Sequence, residues 1–205
     1  EPADFDFYKK LEVPPPTFCP QCRFQRRLMF ENQRVFYKRS CVLCGQNVLT
    51  IYAPDKSYTV YCQPCWWSDK WDPLDHGMEY DPQRNFFDQL AELSRKAPFA
   101  ALSTGYSTLV NSEYVNEAAY SKNCYLIFNA DYNENVLYGV TLDHNKDSMD
   151  INMLESSELS YELINGEKCF RVFFSEDCMS STNVYFSKNL SGCSDCFGCI
   201  NLRNK

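Results

Sequence analysis

Only two histidines occur in the 205 residues, His76 and His144, far apart and without a neighbouring Cys or Ser motif. An imidazole-based general acid or base has little to build on. A glycine-rich phosphate loop, a nucleophile elbow and a His-Glu-x-x-His element are also missing. These absences make a non-catalytic protein the expectation; a carboxylate pair of the polysaccharide-cleaving kind is the catalytic alternative, with no pair singled out. No run of about eighteen apolar residues exists, which speaks against a membrane-spanning helix. The opening Glu1-Pro2-Ala3-Asp4-Phe5 lacks the basic start and apolar stretch of a secretory signal. The Gly-Gly-x-Gly-x-Asp pattern of calcium-binding nonapeptide repeats is absent as well.

Cysteine, by contrast, is abundant. Six of the twelve cysteines sit in Cys-x2-Cys hooks, which favours metal ligation in a reducing compartment over a secreted disulfide framework. The expectation is a soluble, cytoplasmic protein. Cys41-x2-Cys44, seventeen residues, then Cys62-x2-Cys65 has the spacing of a closed tetrahedral Zn2+ site. The alternative is a pair of disulfides or a redox hook. Strand formers over 47–52, a turn cluster at 53–57 and a return through 58–61 predict a hairpin that swings the second hook opposite the first. Gly45 falls where a tight knuckle needs positive φ. Four thiolates fill the coordination sphere, so the metal is expected to be structural.

A third hook, Cys19-x2-Cys22, has no partner pair nearby and reads as an incomplete second metal site, completed by distant ligands or by a pair outside the chain. Charge is uneven. Residues 17–50 carry Arg23, Arg26, Arg27, Arg34, Lys38 and Arg39 against Glu31 alone, a balance of +5, whereas residues 101–205 hold seven basic and fourteen acidic side chains, a balance of −7. The six cations, interleaved with Phe24, Phe30, Phe36 and Tyr37, form a candidate nucleic-acid surface. The favoured alternative makes the rings a small core and the cations its solvated face. Trp66, Trp67 and Trp71 read better as a plug sealing the ribbon than as a stacking platform.

Asp81-Pro82 looks like the N-cap and first residue of a helix over about 82–96, with Phe86, Phe87, Leu90 and Leu93 on one face and Ala97-Pro98 closing it. That apolar stripe is expected to cover the open end of the following region. From 105 onward, short units such as Ser121-Lys122-Asn123-Cys124, Asn133-Glu134-Asn135-Val136 and Ser175-Glu176-Asp177-Cys178 recur at intervals of nine to twelve residues. Strands that short bury their faces only by stacking, which predicts a β-solenoid, with two units per coil of about 20–24 residues. Cys124, Cys169, Cys178, Cys193, Cys196 and Cys199 are expected to point inward as small apolar residues. The last three are also a weak candidate for a metal or cluster.

The expected class is therefore mainly β: a zinc-ribbon domain over 1–75, a connector over 76–104 and a solenoid over 105–205. Phe7-Tyr8-Lys9-Lys10, Pro14-Pro15-Pro16, Cys19-Pro20-x-Cys22-Arg23-x2-Arg26-Arg27 and Val60-Tyr61-Cys62-Gln63-x2-Cys65-Trp66-Trp67-Ser68-Asp69-Lys70-Trp71-Asp72 together resemble uncharacterised bacterial zinc-ribbon proteins of a probable zinc-ribbon family. Those relatives carry an upstream Cys-x2-Cys and a repeat region denser in cysteine. The resemblance implies the architecture and no activity, and its two departures imply a fragment or a trimmed form. Two functions follow as expectations: a scaffold that binds a protein partner or itself, and, as the alternative, a nucleic-acid adaptor working through the basic residues.

Overall fold

A computed structural model describes residues 2–205, which divide into two compact units, up to Asn32 and from Gln33. The first holds α1 (Pro2–Lys10) and α2 (Pro20–Leu28). Cys19 is the N-cap of α2 and Pro20 opens it, where a missing N–H costs nothing. Arg23 reaches back to the first helix, donating from Nη1 to the Tyr8 hydroxyl at 2.9 Å.

The second unit begins with a small ribbon. Strands β1 (Tyr37–Ser40) and β2 (Asn47–Thr50) pair antiparallel, with Tyr37 opposite Thr50 and Ser40 opposite Asn47. The first hook is the turn of this hairpin: Cys41 N–H donates to Gln46 at 2.8 Å, Gly45 N–H to Cys41 at 2.8 Å, and Gly45 takes φ +77°. This corrects the hairpin expected between 47–52 and 58–61. The strand β3 (Thr59–Tyr61) instead pairs in parallel with β4 (Pro98–Ala100), which comes from beyond the connector. Tyr52, Tyr58 and Phe99 form a three-ring cluster with centroids 5.2–5.4 Å apart, and burying that cluster fixes the pairing.

A short helix, α3 (Gln63–Trp66), carries the second hook, and α4 (Phe86–Lys96) is the connector helix. It starts four residues later than Asp81-Pro82 suggested. Asn85 is the N-cap, accepting from Phe87 N–H at 2.8 Å, while Asp81 accepts from Gln83 N–H in a separate turn. The expectation for its apolar stripe is overturned: Phe86, Phe87 and Leu90 are exposed, and the buried residue is Gln89, which bonds the Asp81 peptide. The ribbon itself meets the first coils of the solenoid. Phe36 packs on Phe128 at 5.6 Å, Gln33 bonds Glu117, and Asn116 links Ser103 N–H to Gln33.

The rest is a β-solenoid of about seven turns. Its strands are β5 (Val115–Ala119), β6 (Tyr125–Asp131), β7 (Glu134–Asp143), β8 (Lys146–Glu155), β9 (Tyr161–Glu167), β10 (Phe170–Met179), β11 (Thr182–Tyr185), β12 (Lys188–Ser191), β13 (Ser194–Phe197) and β14 (Ile200–Arg203). All pair in parallel, Val115 with Ile127, Val136 with Ser148, Ile151 with Leu163, and Val184 with Cys196. Every one of these register steps carries the chain the same distance as the side-chain bond from Asn123 to Asn135, a separation of 12 in sequence. That separation is one coil, about half the length expected from the recurring units. Within a coil the chain turns every third residue: from Glu117 to Asn204 every third residue has positive φ. Every third residue from Ser112 to Cys196 is buried. A coil is thus four three-residue sides, each with one inward residue, one outward residue and one left-handed corner.

The corner conformation costs an L-residue about 1–2 kcal/mol unless it is Gly, Asn or Asp. Asn is accordingly common there, and its amides join successive coils: Asn111 to Asn123, Asn123 to Asn135 and Asn135 to Asp147, at 3.0, 2.9 and 2.6 Å. Inward serines do the same inside. Ser157 Oγ donates to Glu155 O at 3.0 Å and accepts from Cys169 N–H, one coil later, at 3.1 Å. The core between these bonds is Val115, Ile127, Val136, Leu142, Ile151, Leu154, Leu163, Val172, Val184 and Leu190 with inward cysteines, as expected for Cys124, Cys169, Cys178, Cys193 and Cys196. Cys199 is partly buried against it.

Candidate metal centre

The thiols of Cys41, Cys44, Cys62 and Cys65 lie within 4.8 Å of one another, which no other set of three or more His, Cys, Asp or Glu groups achieves among the described residues. Two different turns deliver them. The β1–β2 turn brings Cys41 and Cys44, while Cys62 caps α3 with φ −64°, ψ 161° and places Cys65 one turn on. Cys41, Cys62 and Cys65 are buried, and Cys44 is exposed. The Sγ atoms of Cys44 and Cys62 are 3.8 Å apart. A tetrahedral ion with metal–sulfur bonds of about 2.3 Å has sulfur–sulfur edges of about 3.8 Å, so the thiols fit such an ion with little movement.

The backbone prepares one sulfur as an anion. Burial pushes the Cys41 thiol up, but the N–H groups of Cys62, Cys44 and Leu43 outweigh it and hold it down to about 6. The Cys62 N–H to Cys41 Sγ bond, 3.2 Å, crosses from one hook to the other. Cys65 moves the opposite way, pushed up to about 12, first by its bond to the Cys62 sulfur and then by burial. Cys62 is raised too, chiefly by burial. Four sulfurs packed this closely share one negative charge readily and four only around a cation.

Aromatic rings complete the small core. Tyr61, Cys41, Cys62 and Cys65 cluster with Trp66 and Trp71, the latter two at 4.9 Å, and Trp71 Nε1 donates to Trp66 O at 3.0 Å. Trp66 and Trp71 are thus the plug the sequence suggested, whereas Trp67 is exposed.

Cys19 and Cys22 form a hook of nearly the same shape as the second one: Cys19 has φ −61°, ψ 161°, and its sulfur accepts from Cys22 N–H at 3.4 Å. No third ligand joins them among the described residues. The six candidate cations fall in both units. Arg23, Arg26 and Arg27 share α2, with Arg26 over Phe18 at 5.7 Å and Arg27 over Phe24 at 5.9 Å. Arg34 and Lys38 are exposed in the ribbon. Arg39 is structural there, bonding the carbonyls of Ala53 and Tyr58 across the loop between β2 and β3. Phe24 and Phe30 are exposed, which corrects the view of these rings as a ribbon core. His76 lies 6.0 Å from Trp71, and His144 stacks on Tyr132 with Nδ1 3.0 Å from Asp143.

Fold and site define a class: a tetrathiolate ribbon joined to a parallel β-solenoid. No family model, curated protein or solved structure matches this chain.

Proposed function

We propose that the chain is a non-catalytic scaffold in which a structural zinc ion fixes the ribbon and the solenoid presents its outer columns to a protein partner or to a second copy. Zinc is the ion because four thiolates in a tetrahedron leave no position for a water or a substrate. Kinship with the zinc-ribbon proteins that the hooks resemble belongs to the same reading, as does a reducing, cytoplasmic setting for twelve unpaired cysteines.

The observation that carries it is the strip of rings on adjoining outward and corner positions. Tyr125, Tyr138, Phe174, Phe186 and Phe197 are exposed, and Phe173 stacks on Tyr185 at 5.3 Å, Phe174 on Phe186 at 4.9 Å. A contiguous apolar strip on an acidic surface marks an interaction face. Light scattering across a concentration series tests it: self-association of the native chain that is lost in Phe174→Ser/Phe186→Ser supports the reading. A native chain that stays monomeric, and binds RNA, overturns it.

A second reading, a nucleic-acid adaptor, draws on α2, whose Arg26 and Arg27 lie over exposed rings with no carboxylate at ion-pair distance among the described residues. It requires a salt-dependent shift with short RNA that charge reversal of Arg26 and Arg27 abolishes. Absence of binding at low salt sinks it.

A further inference from the structure

The coil running from Cys193 to Leu202 differs from all others in its lining. Its four inward residues are Cys193, Cys196, Cys199 and Leu202, so three successive walls of one cross-section end in sulfur. Cys193 is fully buried, Cys196 is 6% exposed and Cys199 is partly buried. The coil before it presents Ser181, Val184, Ser187 and Leu190 on the same walls. There each serine is used twice: Ser181 donates to Met179 O at 2.8 Å and accepts from Cys193 N–H, and Ser187 donates to Tyr185 O at 2.8 Å and accepts from Cys199 N–H. The three thiols have only long S–H contacts to the carbonyls two residues back, 3.4, 3.5 and 3.6 Å. The middle sulfur feels both of its neighbours. Burial, then the nearby Cys199 and Cys193 sulfurs, push the Cys196 thiol up.

We propose that Cys193, Cys196 and Cys199 form a second metal site, separate from the ribbon and specific for a soft, three-coordinate ion, Cu(I). Thiolates select Cu(I) and zinc among the biological metals. Zinc asks for a fourth ligand, and the fourth wall offers only Leu190 and Leu202. Cu(I) is satisfied by three sulfurs. The trio is wider than the 4.8 Å that encloses the ribbon sulfurs, so binding draws Cys193 and Cys199 toward Cys196 and displaces a proton from each thiol that carries one.

The preceding coil supplies the control variant. Cys193→Ser/Cys196→Val/Cys199→Ser copies the walls of Ser181, Val184 and Ser187, which the solenoid already accommodates. The full-length, zinc-loaded, reduced protein is titrated anaerobically with Cu(I) against a chromogenic Cu(I) chelator, with zinc measured in the same samples. The native chain is expected to take up one more equivalent of Cu(I) than the triple variant while retaining its zinc, with sulfur-only coordination by X-ray absorption. Cys178→Ser, which removes a buried thiol from another coil, leaves that equivalent in place. Equal uptake by the native chain and the triple variant, or uptake only as zinc is lost, overturns the site. Circular dichroism of the triple variant shows that the comparison is between folded proteins; should it be unfolded, Cys196→Val alone, following Val172 and Val184 on its wall, carries the same test.

Discussion

The ribbon and the solenoid solve the same problem, holding short strands together, by opposite means. The ribbon's buried cluster consists of Cys41, Tyr61, Cys62 and Cys65, three of them ligands. Without an ion these sulfurs repel as anions and pack poorly as thiols, and too little apolar surface remains to order the loops. The solenoid buries a continuous column from Val115 to Cys196 and bonds every coil to the next through backbone, serine and asparagine. Its stability is a sum of neighbour terms and needs no metal. One region depends on a single joint, and the other spreads the load over every coil.

The largest effect that would break this contrast is expected at the joint. Cys41→Ser is expected to remove one zinc equivalent per chain and unfold the ribbon, read as lost metal by elemental analysis and lost near-ultraviolet signal from Trp66 and Trp71, with the solenoid's far-ultraviolet signal kept. Cys22→Ser, on the isolated hook, should leave the zinc of the tetrathiolate in place. In the solenoid, Leu163→Ala opens a cavity at a fully buried site and is expected to cost about 3 kcal/mol in denaturant unfolding, without changing zinc content. Gly139→Ala should cost about 1–3 kcal/mol, because its Cβ would lie 2.7 Å from Leu142 Cδ1 and 2.9 Å from Ile151 O, the latter unable to rotate away. The smallest effect has the opposite sign. Met153 is an exposed corner residue at φ 56°, between Thr141 and Asn165 in neighbouring coils, so Met153→Asn is expected to stabilise by about 1 kcal/mol.

Protonation sharpens the contrast too. Cys62 and Cys65 have pKa values raised above the ordinary thiol value, so at neutral pH both carry protons in the metal-free ribbon. Zinc uptake must displace them, and a weakly buffered titration with a pH indicator should show their release. Acidification works in reverse, favouring the thiols and expelling the metal.

The tetrathiolate was legible because Cys-x2-Cys spacing constrains ligand geometry locally and Gly45 marks the knuckle. Strand partners were not. Nothing within 47–61 says that β2 turns back onto β1, or that β3 waits for Pro98–Ala100, since those pairings are decided by the Tyr52, Tyr58 and Phe99 rings meeting across long sequence separations. The solenoid was visible in its short recurring units, but its coil length was not. Ser121, Asn133, Asn145 and Ser157 follow one another coil by coil along a single wall, whereas Gly166 and Ser175 stand on other walls. The four sides are chemically alike, so a slip of one three-residue side looks like another repeat. The true signal was the period of three, inward small or apolar residues with Asn and Asp at corners, obscured because Tyr120, Leu126, Phe174 and Glu162 also occupy left-handed corners. The helix start was misread because Asp81 and Asn85 are both competent caps and only the second has the helix directly after it.

The central claim is that metal sustains the ribbon and not the solenoid, and native-state hydrogen exchange with and without a zinc chelator tests it most directly. The account predicts that chelation releases the amides of β1, β2 and α3 to rapid exchange while Val136, Ile151, Leu163 and Val172 keep their protection. Loss of protection in both regions together, or in neither, would contradict it.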